Sequence, residues 1–176
     1  MKQKIFTLEI LSKILNKERT KRKKIILCHG VFDLLHVGHI KHFKEAKSFG
    51  DILVVTLTQD KYVNKGPQRP AFNERLRAEA IAALSHVDFV AINTAPNAIN
   101  VIKKFKPNIY CKGPDYKNHQ DDVSGQIKNE INAVKKTGGK IFYTGGLTFS
   151  SSKLINYYDN IHSNLQKQSI KKIKKK

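Results

Sequence analysis

Tryptophan is absent from this chain of 176 residues, methionine occurs once and cysteine only twice. Two cysteines cannot build a disulfide framework of several bridges. Both Cys28 and Cys111 lie inside apolar runs, which predicts buried, reduced thiols and with them a cytoplasmic location. No apolar stretch reaches the roughly 18 to 20 residues of a bilayer span, and the N-terminus lacks the apolar block of a secretory signal. Acidic residues are also scarce, 14 against 33 Lys and Arg, for a net charge of +19. Such a surplus raises the question of a polyanionic partner, and its distribution decides the matter. Residues 1–24 carry nine bases and two acids (+7), residues 153–176 carry seven and one (+6), and the 128 residues between them only +6. Aromatic side chains do not alternate with the lysines at either end as a stacking platform requires, which argues against nucleic acid or a membrane surface as partner. An inactive polyanion-binding module is the alternative that the basic ends support.

What the chain does have is the composition of a folded domain, 40% hydrophobic and 27% charged. Five apolar, β-branched runs read as buried strands, at 25–29, 52–58, 88–93, 108–113 and 140–145. Segments with helical spacing separate or follow them, at 38–49, 73–84, 97–105, about 122–137 and 150–162. This alternation predicts an α/β, Rossmann-like, doubly wound fold with a mainly parallel five-stranded sheet and helices on both faces. Ahead of the first strand, Leu8, Leu11, Ile14 and Leu15 form one stripe of an amphipathic helix over 7–19, with Thr7 as N-cap, expected to pack at the sheet edge. The expected organisation is an N-terminal helix and basic segment (1–23), an α/β domain (24–162) and a lysine-rich tail or linker (163–176).

In sheets of this kind ligands bind beyond the carboxyl ends of the strands, where the strand order reverses. The first strand runs into "GVFDLLHVGH", residues 30–39, where Gly30 permits a tight turn and a helix begins near Gly38. A helix start there offers free backbone N–H groups to an anion. His36 and His39, three residues apart, share one face of its first turn. Two core histidines would not account for their place beside the glycine turn, and a zinc site needs further ligands that no nearby Cys/His cluster supplies. Donors to phosphate oxygens are the remaining reading. Downstream, Ser150, Ser151 and Ser152 open the last helical segment and could serve a second anion site, or simply cap that helix.

These residues resemble the HxGH nucleotidyltransferase superfamily, the cytidylyltransferase-like enzymes. "GVFDLLHVGH" is similar to its signature, and "NKGPQRPAFNERLRAEAIAALSHVDFV" (64–90) to its lysine-bearing loop and arginine-bearing helix, matching Lys65 and Arg77. "KGPDY" (112–116) resembles the end of the family's fourth strand, and "FSSSKLI" (149–155) its last helix start. The resemblance spans roughly residues 24–157 and implies catalytic roles for His36, His39, Lys65 and Arg77. It implies nucleotide contacts from Gly30, Val31, Phe32, Asp33, Gly38, Lys112, Gly113, Asp115, Phe149, Ser150, Ser151 and Ser152. Mg²⁺ is the implied cofactor, accompanying ATP or CTP, with no direct protein ligand assigned.

The implied reaction is attack by the phosphate of a small sugar or polyol phosphate on the α-phosphorus of a nucleoside triphosphate, with release of pyrophosphate. The opening motif is close to that of glycerol-3-phosphate cytidylyltransferases. "KGPDYK" and the absence of an arginine before "FSSS" are more similar to the adenylyltransferase domain of ADP-heptose synthases. The expectation is adenylyl transfer to a heptose 1-phosphate-like acceptor, with cytidylyl transfer to glycerol 3-phosphate or a related polyol phosphate as the alternative. The resemblance also implies a homodimer and a fused or partner sugar kinase.

Overall fold

The computed structural model describes residues 3–66, 68–116 and 125–145. The strands are β1 (Ile25–Gly30), β2 (Ile52–Thr58), β3 (Phe89–Asn93), β4 (Ile109–Lys112) and β5 (Lys140–Tyr143). The helices are α1 (Leu8–Thr20), α2 (Val37–Ser48), α3 (Glu74–Ala82), α4 (Ile99–Phe105) and α5 (Ile127–Lys136). Every strand pair is parallel, in the order β3-β2-β1-β4-β5. The expected α/β sheet is therefore the one observed, with most element ends within two residues of their sequence-based limits. The fifth strand stops at Tyr143 rather than 145, although Thr144 still donates its N–H to the Lys112 carbonyl (3.0 Å) in step with the β4 ladder. The last expected helix, 150–162, lies outside the described residues.

The central strands β1 and β2 are apolar on both faces because helices cover both. Their alternation sorts side chains into two cores. Ile26, Cys28, Leu53, Val55 and Leu57 pack against Phe43 of α2 and Ile81 of α3. Leu27, Val54, Ala91 and Tyr110 face Leu11 and Leu15 of α1, Ile102 and Phe105 of α4, and Val134 of α5. The N-terminal stripe thus does what its spacing predicts: Thr7 caps α1 by accepting the Ile10 N–H at 3.3 Å, and Leu11 and Leu15 are sealed. Residues 4–6 extend the sheet beyond β3, with Phe6 N–H donating to the Val90 carbonyl and Val90 N–H to the Lys4 carbonyl. Cys28 and Cys111 are free, buried and level with each other across β1 and β4.

Chain direction reverses at the centre. From β1 the chain steps outward through β2 to β3, then crosses back to place β4 on the other side of β1. Two crossovers diverging from neighbouring strands leave a crevice above the carboxyl ends of β1 and β4. On the α4/α5 face the sheet turns polar as it approaches that end, with His29, Thr56, Thr58, Asn93 and Lys112 all buried. His29 Nδ1 lies 3.0 Å from the Thr56 hydroxyl. Burial pulls the His29 imidazole down to about 4, against the opposing pull of the Glu130 carboxylate.

Two outcomes follow for stability. Leu15→Ala should cost about 2–5 kcal/mol, read as a lower urea midpoint, because it opens a cavity in a sealed core. His29 refuses a proton in the fold down to about 4, whereas an unfolded imidazole takes one up near 6.5. Below that value the unfolded chain binds more protons, so the unfolding free energy falls as pH drops from about 6.5 to 4. Urea titrations at pH 7 and pH 5 should show this decline, and His29→Gln should make it shallower.

Candidate functional site

The crevice is built from the loop that leaves β1. Phe32 adopts a left-handed backbone conformation (φ 49°), which folds its ring back over Gly30. A Cβ on Gly30 would lie 3.0 Å from that ring, so glycine is required here by close approach. The ring then stands against Phe43 (centroids 5.1 Å) and edge-on to His39 (5.2 Å, 84°).

His36 caps α2: its Nδ1 accepts the Gly38 N–H at 3.1 Å. A nitrogen that accepts carries no proton, so the ring N–H is on Nε2, where it is a donor. The His36 and His39 rings stack 3.8 Å apart at 17°, one turn into the positive end of the helix. The sequence expectation put the helix start near Gly38; the structure starts it at Val37, with His36 itself as cap. His39 is pulled down to about 3, first by burial, then by the charges of His36, His42 and Lys65. It is therefore a neutral imidazole at pH 7, with a hydrogen bond to the Leu34 backbone opposing the shift and orienting the ring.

One cation, Lys65, acts directly on this pair. Lys65 stands exposed on the loop after β2, its ammonium pushed below the ordinary lysine range by the surrounding protein, with Asp33 opposing and Arg69 and Arg77 adding to the shift. Asp33 is sealed, paired with Arg69 and accepting the Ala71 N–H at 2.5 Å. It ties the β1 loop to the lysine-bearing loop, which is more than an isolated Asx turn would do. Arg77 is buried too, and its guanidinium donates to the carbonyls of Val31, Phe72 (2.9 Å) and Thr58 (2.9 Å) and pairs with Asp60. The surface pair with Glu74 that the spacing allowed does not form. Glu74 instead accepts the Asp60 N–H at 2.7 Å. Arg77 thus braces the floor of the site from beneath.

Across the crevice, Lys112 ends β4 and packs over the ring of Tyr116 (3.9 Å), with Gly113 and the exposed Asp115 in the turn between. Its carboxylate neighbour is Glu130 of α5, at 3.4 Å. The described residues hold no group of three or more His, Cys, Asp or Glu that could bind a metal, and Asp33 is already committed to Arg69 and Ala71. Phe149, Ser150, Ser151 and Ser152 lie outside the described residues.

Three residues of the site were not singled out from the sequence. His42 continues the three-residue spacing of His36 and His39, and its Nδ1 shares a 2.9 Å hydrogen bond with the Thr144 hydroxyl, joining α2 to the end of β5. Burial and the Lys112 charge hold it at about 4. Arg69 is one of many bases in a basic chain, and only its contact with Asp33 distinguishes it. Glu130 had a signal: it falls on the apolar stripe of α5 with Ile127, Ala133 and Val134, where a carboxylate needs partners.

Comparison with known proteins supplies the family. The chain is 40% identical to a bifunctional protein HldE of Aliarcobacter butzleri over 138 residues, covering 77% of this chain and 29% of that protein. It is 43% identical to a bifunctional protein HldE of Geobacter metallireducens over 140 residues, covering 78% and 27%. The chain thus spans less than a third of the length of these curated relatives. The crystal structure of the lipopolysaccharide core biosynthesis protein from Thermoplasma volcanium is similar over 72% of this chain and 99% of its own, with a TM-score of 0.59 at 27% identity. A pantoate-beta-alanine ligase from Francisella tularensis shares the fold over 88% of this chain and 73% of its own, with a TM-score of 0.63 at 19% identity. The cytidylyltransferase-like family model matches residues 27–164, more than three quarters of the sequence, and the chain belongs to that family.

Proposed function

We propose that this domain is a nucleotidyltransferase that moves an adenylyl group from ATP to a heptose 1-phosphate-like acceptor and releases pyrophosphate. The observation that carries the reading is the stacked imidazole pair at the start of α2, at the mouth of the β1/β4 crevice, with the Lys65 charge acting on it. Similarity to the HldE proteins supports ATP and a heptose phosphate over CTP and a polyol phosphate. Those relatives are bifunctional and more than three times the length matched here, which supports a sugar kinase as the fused or partner activity. No helix among the described residues is long and apolar enough to cross a membrane, in keeping with a cytoplasmic enzyme.

The acceptor phosphate is already an anion, so the protein need not generate a nucleophile. Its task is alignment and charge stabilisation. A neutral imidazole suits this task. His36 Nε2–H and the His39 imidazole would donate to oxygens of the α-phosphate as charge redistributes in the pentavalent transition state. Lys65 at the rim would draw the triphosphate in, and Ser150, Ser151 and Ser152 would serve its β,γ end. Arg77 and Asp33 act one step removed: they hold the loops carrying Val31, Phe32 and Lys65 in register. Magnesium bound to the triphosphate would supply further charge neutralisation when present.

Removing one transition-state donor typically costs about 10²- to 10³-fold in rate. His39→Ala should therefore lower kcat in a pyrophosphate-release assay by at least about 100-fold while nucleotide affinity changes much less; wild-type turnover in that variant would refute the assignment. The substrate reading has its own test. The protein is incubated with each of the four nucleoside triphosphates and a panel of sugar and polyol phosphates. ATP with heptose 1-phosphate should give the fastest pyrophosphate release, and a strict preference for CTP with glycerol 3-phosphate would replace the adenylyl reading with the cytidylyl one.

A further inference from the structure

Lys112 and Glu130 form a buried ion pair for which packing alone gives no reason. Their side chains are 6% and 5% exposed, with the charged atoms 3.4 Å apart. Removing two charges from water costs several kcal/mol per ion, and well-packed apolar residues of like volume often stabilise as well or better. The presence of the pair therefore points to a use for one of the charges.

The two partners are held unequally. Glu130 is anchored on both oxygens: one accepts the Ala98 N–H at 3.0 Å, just ahead of α4, and the other accepts the Tyr110 hydroxyl at 2.9 Å. Burial and the Glu130 charge keep that phenol protonated, so it remains a donor. Lys112 has three donors, yet among the described residues its ammonium makes one polar contact, the long one to Glu130. Otherwise it lies against aromatic faces, 3.9 Å from the Tyr116 centroid and 5.5 Å from that of Tyr110. Among the described residues this buried ammonium thus has donors left for a further acceptor.

Its position says where that acceptor comes from. Lys112 is the last residue of β4, beside β1 at the crevice. Its charge acts on His29 and Cys28 of β1, on His42 of α2 and on Tyr143 of β5. It thus stands among the strand ends that flank the stacked imidazoles.

We propose that Glu130 is a positioning residue for nucleotide binding: it holds the Lys112 ammonium at the carboxyl end of β4, so that its remaining donors meet an oxygen of the triphosphate. This rests on the nucleotidyltransferase reading above. Glu130 itself, screened by Tyr110 and the start of α4, touches no substrate. The recognised chemistry is an anionic phosphate oxygen, which the ammonium binds without displacing the carboxylate that holds it.

The test is a double-mutant cycle on the full chain, with Kd for magnesium α,β-methylene-ATP measured by calorimetry and folding checked by thermal unfolding. Glu130→Gln keeps the shape and one acceptor, for the Ala98 N–H, while its amide NH2 turns to donate to the Tyr110 phenol oxygen, and it removes the charge; Lys112→Met removes the ammonium. Each single variant should weaken binding at least about fivefold. The double variant should bind no more weakly than Lys112→Met alone, because one residue acts through the other. In turnover, Glu130→Gln should raise KM for ATP more than it lowers kcat, and Lys112→Arg should retain most of the affinity. Wild-type affinity in Lys112→Met overturns the proposal, whether or not Glu130→Gln folds. Equal weakening by Glu130→Gln in the wild-type and Lys112→Met backgrounds also overturns it, since the carboxylate would then act on the fold alone. A wild-type protein that binds the analogue but releases no pyrophosphate with any acceptor would sink the transfer reading while leaving the cycle interpretable. One that binds no nucleotide sinks both.

Discussion

The buried guanidinium of Arg77 is the interaction on which the upper half of the molecule depends. It is a charge sealed under two loops, and it is tolerable there only because its donors reach the Val31, Thr58 and Phe72 carbonyls and the Asp60 carboxylate. Those acceptors come from four places: the loop after β1, the end of β2, the turn after it and the approach to α3. One side chain thereby fixes the heights of the segments that surround the crevice. Asp33 repeats the device with the sign reversed, drawing Arg69 and the Ala71 N–H to the β1 loop. Strand order makes the crevice, and these two charge centres keep its walls from closing or drifting.

Around that frame the electrostatics favour neutral imidazoles and permanent cations. His29, His39 and His42 are all pulled far below the ordinary histidine range, chiefly by burial. Lys65 and Lys112 assist on His39 and His42 respectively. A neutral imidazole among lysines and arginines neither repels them nor needs a carboxylate to balance it. It retains one N–H as a donor, and the positive charge is left to side chains that hold their protons more tightly. The three-residue spacing of His36, His39 and His42 distributes duties along one helix face. The first caps the helix, the second stacks on the first and faces Phe32, and the third clamps the end of β5 through Thr144. Glu45, one turn further on, accepts the Gly145 N–H and extends that clamp.

Much of this was legible in the chain. Runs such as "ILVVTLT" carry no charge on either face and read as strands covered on both sides. The stripe of Leu11 and Leu15 after Thr7 could only be a helix lying on a core. The histidine pair after a glycine turn marked the carboxyl end of β1 as the site, through local signals of spacing and turn chemistry. Arg69 and Glu130 escaped because their meaning lies in partners 36 and 18 residues away. Arg77 was legible as a site residue, but its partners were not: the neighbour at i−3, Glu74, is the obvious mate on a helix surface, and this helix position is not on the surface.

Sequence alone therefore determined the alternation of strand and helix, the two-faced burial of β1 and β2, and the place of the histidine pair at the carboxyl end of β1, because each follows from short-range periodicity and backbone sterics. Only the tertiary structure decided that β4 lies beside β1, opening the crevice, and that Arg77 and Asp33 serve as braces rather than free charges. It alone decided that Lys112 faces a buried carboxylate. Those outcomes depend on which distant groups share a low-dielectric interior, where a charge must find a partner, and no local pattern records which partner it finds.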